Sequence, residues 1–328
     1  MKKSVIALLF GVLPLLAACG AQSDGGDPTG GVHYPDNCRT VQIIVTFSAG
    51  GASDTNFRLL AEYFKDEFPG TDFQVVNVPG GGGATGINQL LNSPADGCTI
   101  GHTSIPSHLA YLLPDSPATY TKSDLQFAGG FGLEPQLLVV AADSPYRTFQ
   151  DLVDAGRTTG YLNAVADSPT GTDAIINVQF ADASGIKLRQ TVVDGSAEKV
   201  AALLSGQVDF ANGAIGGVLP SVQSGQLRAL AVWSEERAST LPDVPTATEL
   251  GIPTVVEVRF GVIMSNKVSA EVRQTLETAL HDITQKPDFI QTMASYGNDT
   301  VFLTGSEFSV VWDEMGQTLT GLDFSSLG

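Results

Sequence analysis

Residues 46–55 read Thr46-Phe47-Ser48-Ala49-Gly50-Gly51-Ala52-Ser53-Asp54-Thr55, and they form a turn between a predicted strand and a predicted helix. The apolar run at residues 41–45 is typical of a buried strand. After the turn, apolar residues recur at the i, i+3, i+4, i+7 spacing of a helix that buries one face: Phe57, Leu60, Ala61 and Phe64. The two glycines allow the chain to bend, and Ser53 or Asp54 is placed as the N-cap. Such a turn points free backbone N–H groups and the positive end of a helix dipole outward, which predicts an anion site without a basic side chain.

The composition indicates a globular protein with room for two domains. The chain has 328 residues, of which 43% are hydrophobic and 16% are charged. Its formal charge of −18 makes a nucleic acid or an anionic lipid surface an unsuitable partner. A small anion can still bind to an acidic protein where backbone dipoles point at it.

The N-terminus is typical of an exported lipoprotein. Lys2 and Lys3 precede an apolar segment at residues 4–15, which is too short to cross a bilayer comfortably. The following Leu16-Ala17-Ala18-Cys19 resembles a bacterial lipobox. We therefore expect a signal peptide at residues 1–18, acylation of Cys19, and a flexible tether rich in Gly, Ser, Asp and Pro at residues 19–38. The alternative is a plain signal peptide with an incidental cysteine; the expected location is extracytoplasmic, either periplasm or cell surface.

Cys38 and Cys98 are predicted to form a disulfide bond. An even pair of cysteines outside the cytoplasm favours a bridge. Each cysteine stands just before a predicted strand, at residues 41–47 and 99–103. If these strands are parallel neighbours, their starts lie at the same edge of the sheet, within bridging distance.

The rest of the chain alternates between strand and helix patterns, which predicts parallel sheets covered by helices. Pro135 interrupts the apolar runs at residues 125–130 and 136–141 and is placed at a passage between domains. A second α/β block then follows, with a short strand expected at residues 208–211. A strand at residues 255–264 would carry the chain back to the first domain. The C-terminal part is predicted to be helical, with one of its apolar stripes formed by Phe289, Ile290 and Met293.

Motifs for nucleotides, metals and catalysis are weak or missing. Residues 81–86 fit the G-x-G-x-x-G pattern, but the acid expected at the end of the next strand is absent and no Gly-Lys-Ser/Thr follows. The four histidines are scattered in the sequence, without metal-ligand spacing. No Gly-x-Ser-x-Gly motif occurs. We therefore expect no cofactor, no metal and no catalytic residue, and keep a hydrolase of the cell envelope as an alternative.

Five strand-to-helix junctions carry glycine or small hydroxyl residues, and they define the predicted binding site. They lie at residues 48–54, 80–85, 103–107, 168–173 and 195–196. In parallel sheets such junctions gather at the carboxyl edge of the strands, where ligands bind. Two domains would bring these edges face to face, so that helix N-termini on both sides clamp a small carboxylate.

Several motifs, in order, resemble the solute-binding proteins of tripartite tricarboxylate transporters, also called the Bug or TctC-like family. The resemblance covers roughly residues 40–320. The motifs are Phe47-Ser48-Ala49-Gly50-Gly51-Ala52-Ser53-Asp54, Val76-Asn77-Val78-Pro79-Gly80-Gly81-Gly82-Gly83, Pro94-Ala95-Asp96-Gly97-Cys98-Thr99-Ile100, Leu203-Leu204-Ser205-Gly206-Gln207-Val208-Asp209, Gly225-Gln226-Leu227-Arg228-Ala229-Leu230-Ala231-Val232 and Leu241-Pro242-Asp243-Val244-Pro245-Thr246-Ala247-Thr248-Glu249-Leu250-Gly251.

This resemblance implies an α/β, two-lobed periplasmic-binding-protein-like fold of type II, with two Rossmann-like domains joined by two crossover strands. Domain I would comprise residues 39–134 and 256–328, and domain II residues 135–255. The resemblance also implies that a small organic carboxylate binds in the interdomain cleft and is delivered to the permease subunits of a membrane transporter. A monomer is expected. A ligand-sensing module for a membrane signalling partner is a further alternative.

The resemblance implies that the first two glycine-rich loops hold one carboxylate and that a helix start in the second lobe takes the distal end. That helix start departs from the family pattern, because Thr172 replaces a serine and Asp173 is followed by no histidine. An acid there would discourage a dianion and favour a neutral or amine-bearing distal end, unless Asp173 points away. Arg259 and Phe260 replace the usual tryptophan; Arg259 would pair with an anion or form a salt bridge. The residues expected to bind the ligand are Ser48, Ala49, Gly50, Gly51, Ser53, Asp54, Gly81, Gly82, Gly83, Ala84, Thr85, Thr103, Ser104, Ser168, Thr170, Gly171, Thr172, Asp173, Gly195, Asn212 and Phe260.

Overall fold

Strands and helices alternate along the chain in a computed structural model, which describes residues 34–112, 118–166, 169, 171–193 and 195–327. The strands of this part are β1 (Thr40–Val45), β2 (Asp72–Asn77), β3 (Thr99–Ile105), β4 (Leu125–Glu134), β5 (Gln136–Ala141), β6 (Leu162–Ala166), β7 (Leu188–Val192), β8 (Phe210–Ala214), β9 (Leu227–Val232), β10 (Val258–Ser265) and β11 (Leu303–Thr304). The α-helices are α1 (Ala52–Glu67), α2 (Ala84–Asn92), α3 (Phe149–Thr159), α4 (Thr172–Ser184), α5 (Gly195–Leu204), α6 (Ile215–Gln223), α7 (Ala270–Thr284), α8 (Pro287–Ser295) and α9 (Gly305–Thr320).

The strands form two sheets with matching strand order. The first sheet runs β11-β4-β10-β3-β1-β2, and the second runs β7-β6-β8-β5-β9. In the first, β1 is parallel to β2 and β3, while β10 lies antiparallel between β3 and β4. In the second, β6 is parallel to β7 and β8, while β5 lies antiparallel between β8 and β9. Each sheet therefore has a parallel set of strands with one antiparallel strand inserted into it, and the first sheet adds the short β11, which is antiparallel to β4.

The chain crosses between the sheets twice. At the first crossing, Pro135 alone separates β4 in the first sheet from β5 in the second. Proline has no N–H for a ladder hydrogen bond, so it suits the point where the chain changes sheets. The second crossing, residues 233–257, leads from β9 back to β10. The predicted boundaries of domain II at residues 135 and 255 fall close to these crossings.

The apolar stripe of α1 packs into the core, as its spacing predicts. Phe57, Leu60 and Phe64 are fully buried. The predicted stripe on α8 is wrong at Ile290, which is 43% exposed, whereas Phe289 and Met293 are fully buried. Phe289 and Met293 are four positions apart and therefore share one face of the helix. Ile290 follows Phe289 directly, so its side chain is turned by about 100° away from that face.

The predicted disulfide between Cys38 and Cys98 is confirmed. The two Cα atoms are 5.4 Å apart. The bridge forms because β1 and β3 are parallel neighbours, with Gln42 opposite Thr99, so that the residues before both strands lie at one edge. It ties the start of the fold to a point 60 residues further along the chain.

Three local predictions are corrected by the structure. The N-cap of α1 is Gly51, with no side-chain cap, because the helix begins earlier than expected and Asp54 occupies its first turn. Strand β3 continues to Ile105, so Thr103 and Ser104 lie within the strand. Strand β8 begins and ends later in the chain than the predicted strand at residues 208–211, so Asn212 lies inside it.

In the part of the chain that the structure describes, no helix has both the length and the apolar character needed to cross a membrane. The predicted signal peptide, Cys19 and most of the tether lie outside the described residues.

Candidate functional site

Two adjoining cavities lie between the first half of the molecule, which is the part built on the first sheet, and the second half, which is the part built on the second sheet. The smaller has a volume of about 160 Å³ and the larger about 620 Å³. Both are lined by Glu134, Ser196 and Ala214, so they meet at these three residues. The first half of the molecule contributes Phe47, Ser53 and Ser104 to the smaller cavity, and the second contributes Thr172, Asp173 and Lys199. In the larger cavity, the first half contributes Gly50, Gly51, Asn56 and Asn298, and the second half contributes Gly216 and Gly217.

The loop before α1 is held in place by Asp54. Its carboxylate accepts a hydrogen bond from the Gly50 N–H at 2.8 Å, contacts Arg58 at 2.9 Å and accepts from the Asn77 amide at 2.9 Å. Burial opposes ionisation of Asp54, but the hydrogen bonds from Arg58, Gly50 and Asn77, with the charge on Arg58, lower the pKa of its carboxyl group. The bond to Gly50, whose φ is +85°, fixes the bend of the loop. Asp54 lines neither cavity, so its contacts position the loop.

Two histidines that are scattered in the sequence meet behind this loop. The Ser104 N–H donates to His108 Nδ1 at 3.1 Å, so the proton of the neutral ring lies on Nε2. His108 Nε2 then donates to Thr46 Oγ1 at 2.6 Å, and Thr46 Oγ1 donates to His102 Nδ1 at 3.1 Å. Phe47, which lines the smaller cavity, stacks on the His108 ring at a centroid distance of 5.6 Å. The cluster therefore supports one wall of the cavity from inside the first half.

Burial keeps both histidines neutral. It lowers the pKa of His108 from 6.5 to about 3, and burial together with the neighbouring His108 lowers the pKa of His102 well below 6.5. In the unfolded chain these rings take up protons as the pH falls below about 6.5, whereas in the folded chain they do not. The contribution of these two rings to stability is therefore lost as the pH falls below that value.

We expect acidification from pH 7 to pH 5 to lower the free energy of unfolding by about 2 kcal/mol for His108 alone. Glu134, whose carboxyl pKa burial raises to about 7, gains stability over the same range and offsets this loss. Urea unfolding is therefore compared between the wild type and His108→Gln, and the wild type should lose about 2 kcal/mol more than the variant. The same pH dependence in the wild type and in His108→Gln would contradict this account of the buried ring.

On the opposite side of the smaller cavity, Asp173 forms a buried ion pair with Lys199. Asp173 lies in the first turn of α4 and Lys199 lies on α5, and their side chains are 3% and 4% exposed. Glu134, at the end of β4, is 5% exposed. Burial raises the pKa of its carboxyl group to about 7, with the charge of Lys199 lowering it and that of Asp173 raising it. Of the described lining residues of both cavities, Lys199 alone is basic.

Some polar atoms in the walls have no hydrogen-bond partner among the described residues. They include Ser104 Oγ in the smaller cavity, and Asn56 Nδ2 and Asn298 Oδ1 in the larger. The Asn298 amide does donate to Asn56 Oδ1 at 2.9 Å. Buried polar groups are nearly always hydrogen-bonded in folded proteins, so these atoms leave bonding capacity unused beside the cavities.

The structure brings part of the predicted site together. Gly50 and Gly51 line the larger cavity, whereas Ser48 and Ala49 are exposed and line neither. The predicted residues that line the smaller cavity come from both halves: Ser53, Ser104, Thr172, Asp173 and Phe260.

Other predicted residues lie elsewhere. The second glycine-rich loop lines neither cavity; its members are Gly81, Gly82, Gly83, Ala84 and Thr85. Gly83 packs instead on His108, because a Cβ there would lie 2.5 Å from the ring. In the second half, Gly171 is the N-cap of α4 and Gly195 begins α5, and neither lines a cavity.

Three more polar residues are used within the fold. Thr103 hydrogen-bonds to His108 at 3.0 Å. Asn212 accepts from Trp233 Nε1 at 2.7 Å and donates to Asn177 at 2.8 Å. Arg259 pairs with Glu257 at 2.6 Å, so its side chain is engaged in a salt bridge. Ser168 and Thr170 lie outside the described residues.

Glu134 and Lys199 line the cavities but are not among the residues predicted to bind the ligand. Glu134 directly precedes Pro135, so the predicted passage between domains could have pointed to it. Lys199 shares a helix face with the buried Ala202 and Leu203, three and four positions further on, which is unusual for a lysine and could have been noticed. Asn56 and Asn298 carry no such signal.

Comparison with known proteins identifies the class. The sequence model of the family described as tripartite tricarboxylate transporter family receptor matches residues 57–312. Protein BugT of Bordetella pertussis is 29% identical over 284 residues, which cover 84% of this chain and 85% of that protein. The chain belongs to this family and is a solute-binding receptor of the Bug type.

Two solved structures are similar to the whole fold. An R. palustris protein solved with adipate has a TM-score of 0.75 and 21% identity, covering 87% of this chain and 98% of that one. MatC from Rhodopseudomonas palustris, with bound malate, has a TM-score of 0.72 and 20% identity, covering 86% and 98%. At this identity the likeness concerns the fold, and it confirms the predicted two-lobed α/β class.

Proposed function

We propose that the chain captures a small organic carboxylate between its two lobes and delivers it to the permease subunits of a tripartite tricarboxylate-type transporter. In this proposal it works outside the cytoplasm, anchored by lipid on Cys19. The family membership supports the transport role, and the adipate and malate in the two similar structures support the ligand class. The lining residues described above would be its binding site, with Ser53, Ser104 and the start of α1 on one side and Thr172 on the other.

The observation that carries the ligand class is the position of the first turn of α1. Gly50, Gly51 and Ala52 line the larger cavity and Ser53 lines the smaller one. The first N–H groups of a helix have no partner within it and carry the positive end of the helix dipole, so they attract an anion. The one basic side chain in the described lining, Lys199, is already paired with Asp173. A carboxylate would therefore be held by backbone N–H groups and hydroxyls.

A thermal-shift screen of the purified protein tests this proposal. Mono-, di- and tricarboxylates and amino acids are added in turn, and a ligand that binds the native state raises the melting temperature in a concentration-dependent way. We expect at least one carboxylate to do so, and its uncharged amide or ester to have no effect. If no carboxylate shifts the melting temperature at millimolar concentration, the proposed ligand class is wrong.

Delivery is tested separately in cells. Deleting the gene should abolish uptake of the ligand found in the screen, and restoring the intact chain should restore uptake. Replacing Cys19 with serine should release the protein from the membrane fraction. Altered gene expression with uptake intact would favour the sensing alternative, and turnover of carboxylate esters or amides would favour the hydrolase.

A further inference from the structure

Glu134 stands where the two cavities meet. Glu134 is 5% exposed and lines both cavities. Its Oε1 atom lies 3.9 Å from the position that a Cβ would take on Gly216, so the carboxyl group faces the start of α6 in the second half. No described residue donates a hydrogen bond to this carboxyl group; the Gln136 amide donates to the backbone oxygen of Glu134 instead.

The charges around Glu134 are unbalanced. Lys199 on α5 is the cation, and it is bonded to Asp173 on α4. Among the described residues, the charges that act on Glu134 are those of Lys199 and Asp173; β10 places Val258 opposite Glu134, and α6 brings Gly216. Tyr296 is the further titratable residue lining the larger cavity. When Glu134 is ionised, the described charged groups of the two cavities therefore carry one more negative than positive charge.

This arrangement distinguishes between two kinds of distal group on a ligand. A second carboxylate would lie beside two acids and would have to compete with Asp173 for Lys199, so like charges would oppose it. An ammonium group would place hydrogen-bond donors and a positive charge against the carboxylate of Glu134. Hydrogen bonds between charged partners are shorter and stronger than neutral ones.

We infer that the ligand of this receptor is a carboxylate that also carries an amino group, and that Glu134 is the counter-ion of that ammonium group. The carboxylate of the ligand binds at the first turn of α1, and the ammonium group binds at the junction of the two cavities. This inference rests on the proposed function, and it narrows the ligand class from carboxylates in general to amino carboxylates. The raised pKa of Glu134 has a consequence here, since an ammonium group stabilises the ionised carboxylate and drives its proton off.

Matched ligands test the inference by calorimetry. Pentanoate, 5-aminopentanoate and glutarate have the same chain length and differ only at the distal end. We expect 5-aminopentanoate to bind at least about tenfold more tightly than either of the others. At pH 6.5, binding in two buffers of different ionisation enthalpy should show net release of protons. The affinity should fall as the pH is lowered from 8 to 6.

The variant Glu134→Gln keeps the shape of the side chain and removes its charge. It should lower the affinity for 5-aminopentanoate at least about tenfold and change the affinity for pentanoate by no more than about twofold. The release of protons on binding should disappear. Glu257→Gln is the matched control, because Glu257 is also a buried acid with a raised pKa but lines neither cavity. It should leave all three affinities unchanged.

The outcomes separate this inference from the proposed function. If glutarate binds more tightly than 5-aminopentanoate, with uptake of protons, the proposed role of Glu134 is wrong. The proposed function as a carboxylate receptor would still stand. Equal affinities for all three ligands in the wild type would have the same two consequences. If neither these compounds nor any carboxylate of the wider screen binds, the proposed function falls together with the inference.

Discussion

Lys199→Met should lower the free energy of unfolding by about 3–5 kcal/mol, because it removes the ammonium group from a buried carboxylate. Asp173 is 2% exposed, so little of its carboxylate can reach water to replace the lost partner. Methionine fills a similar volume, so the loss reports charge and hydrogen bonding more than packing. Urea unfolding of the two proteins at pH 7 gives the difference.

Two controls separate burial from charge. The double variant Asp173→Asn/Lys199→Met removes both charges and should be more stable than Lys199→Met alone. Lys65 and Glu62 form an exposed pair, with side chains 36% and 71% exposed. Lys65→Met should therefore lower the free energy of unfolding by less than about 1 kcal/mol. Similar losses in Lys199→Met and Lys65→Met would show that the Asp173–Lys199 pair contributes nothing beyond a surface contact.

The largest expected effect on binding comes from the double variant Gly51→Val/Ser53→Ala. Both residues line the cavities, and they stand at the start of α1. Gly51 has φ −80° and ψ 172°, an extended backbone that valine adopts without strain, and the nearest atom to an added Cβ is Ser48 O at 3.6 Å. The valine side chain would then block the approach of a carboxylate to the helix N–H groups.

Calorimetry should show at least a hundredfold loss of carboxylate affinity, which corresponds to about 2.7 kcal/mol. Loss of a glycine N-cap should lower the free energy of unfolding by only about 1 kcal/mol. Ser48→Ala/Ala49→Val introduces the same two residues, alanine and valine, in the same loop at exposed positions that line neither cavity. This control should bind normally, and an unchanged affinity in the first variant would remove the loop from the site.

Local patterns predicted the parts of the fold that depend on neighbouring residues. The spacing of Phe57, Leu60 and Phe64 predicted the buried face of α1, since side-chain direction in a helix repeats with sequence. The disulfide of Cys38 with Cys98 followed from two strand starts at one sheet edge. Pro135 predicted the change of sheet, because a proline interrupts a ladder wherever it stands.

The contacts that set the chemistry of the cavities are not local, and the sequence alone did not predict them. Asp173 and Lys199 are 26 residues apart, and their pairing depends on how α4 and α5 pack. Thr46 meets His102 and His108 across 56 and 62 residues, through the pairing of neighbouring strands. The effect expected of an acid at the start of α4 changes once Lys199 pairs with Asp173, and the spacing of the histidines in sequence gave no sign that His102 and His108 meet in the fold.

The two crossings between the sheets lie side by side, since Glu134 at the end of β4 pairs with Val258 at the start of β10. If the lobes rotate about these crossings, the pivot runs through this pair. Atoms on a pivot travel little, whereas the start of α1 and the helices of the second lobe travel far. A ligand group held by Glu134 would thus keep its contact in open and closed shapes alike, so that Glu134 would act in first capture and the distant loops in retention.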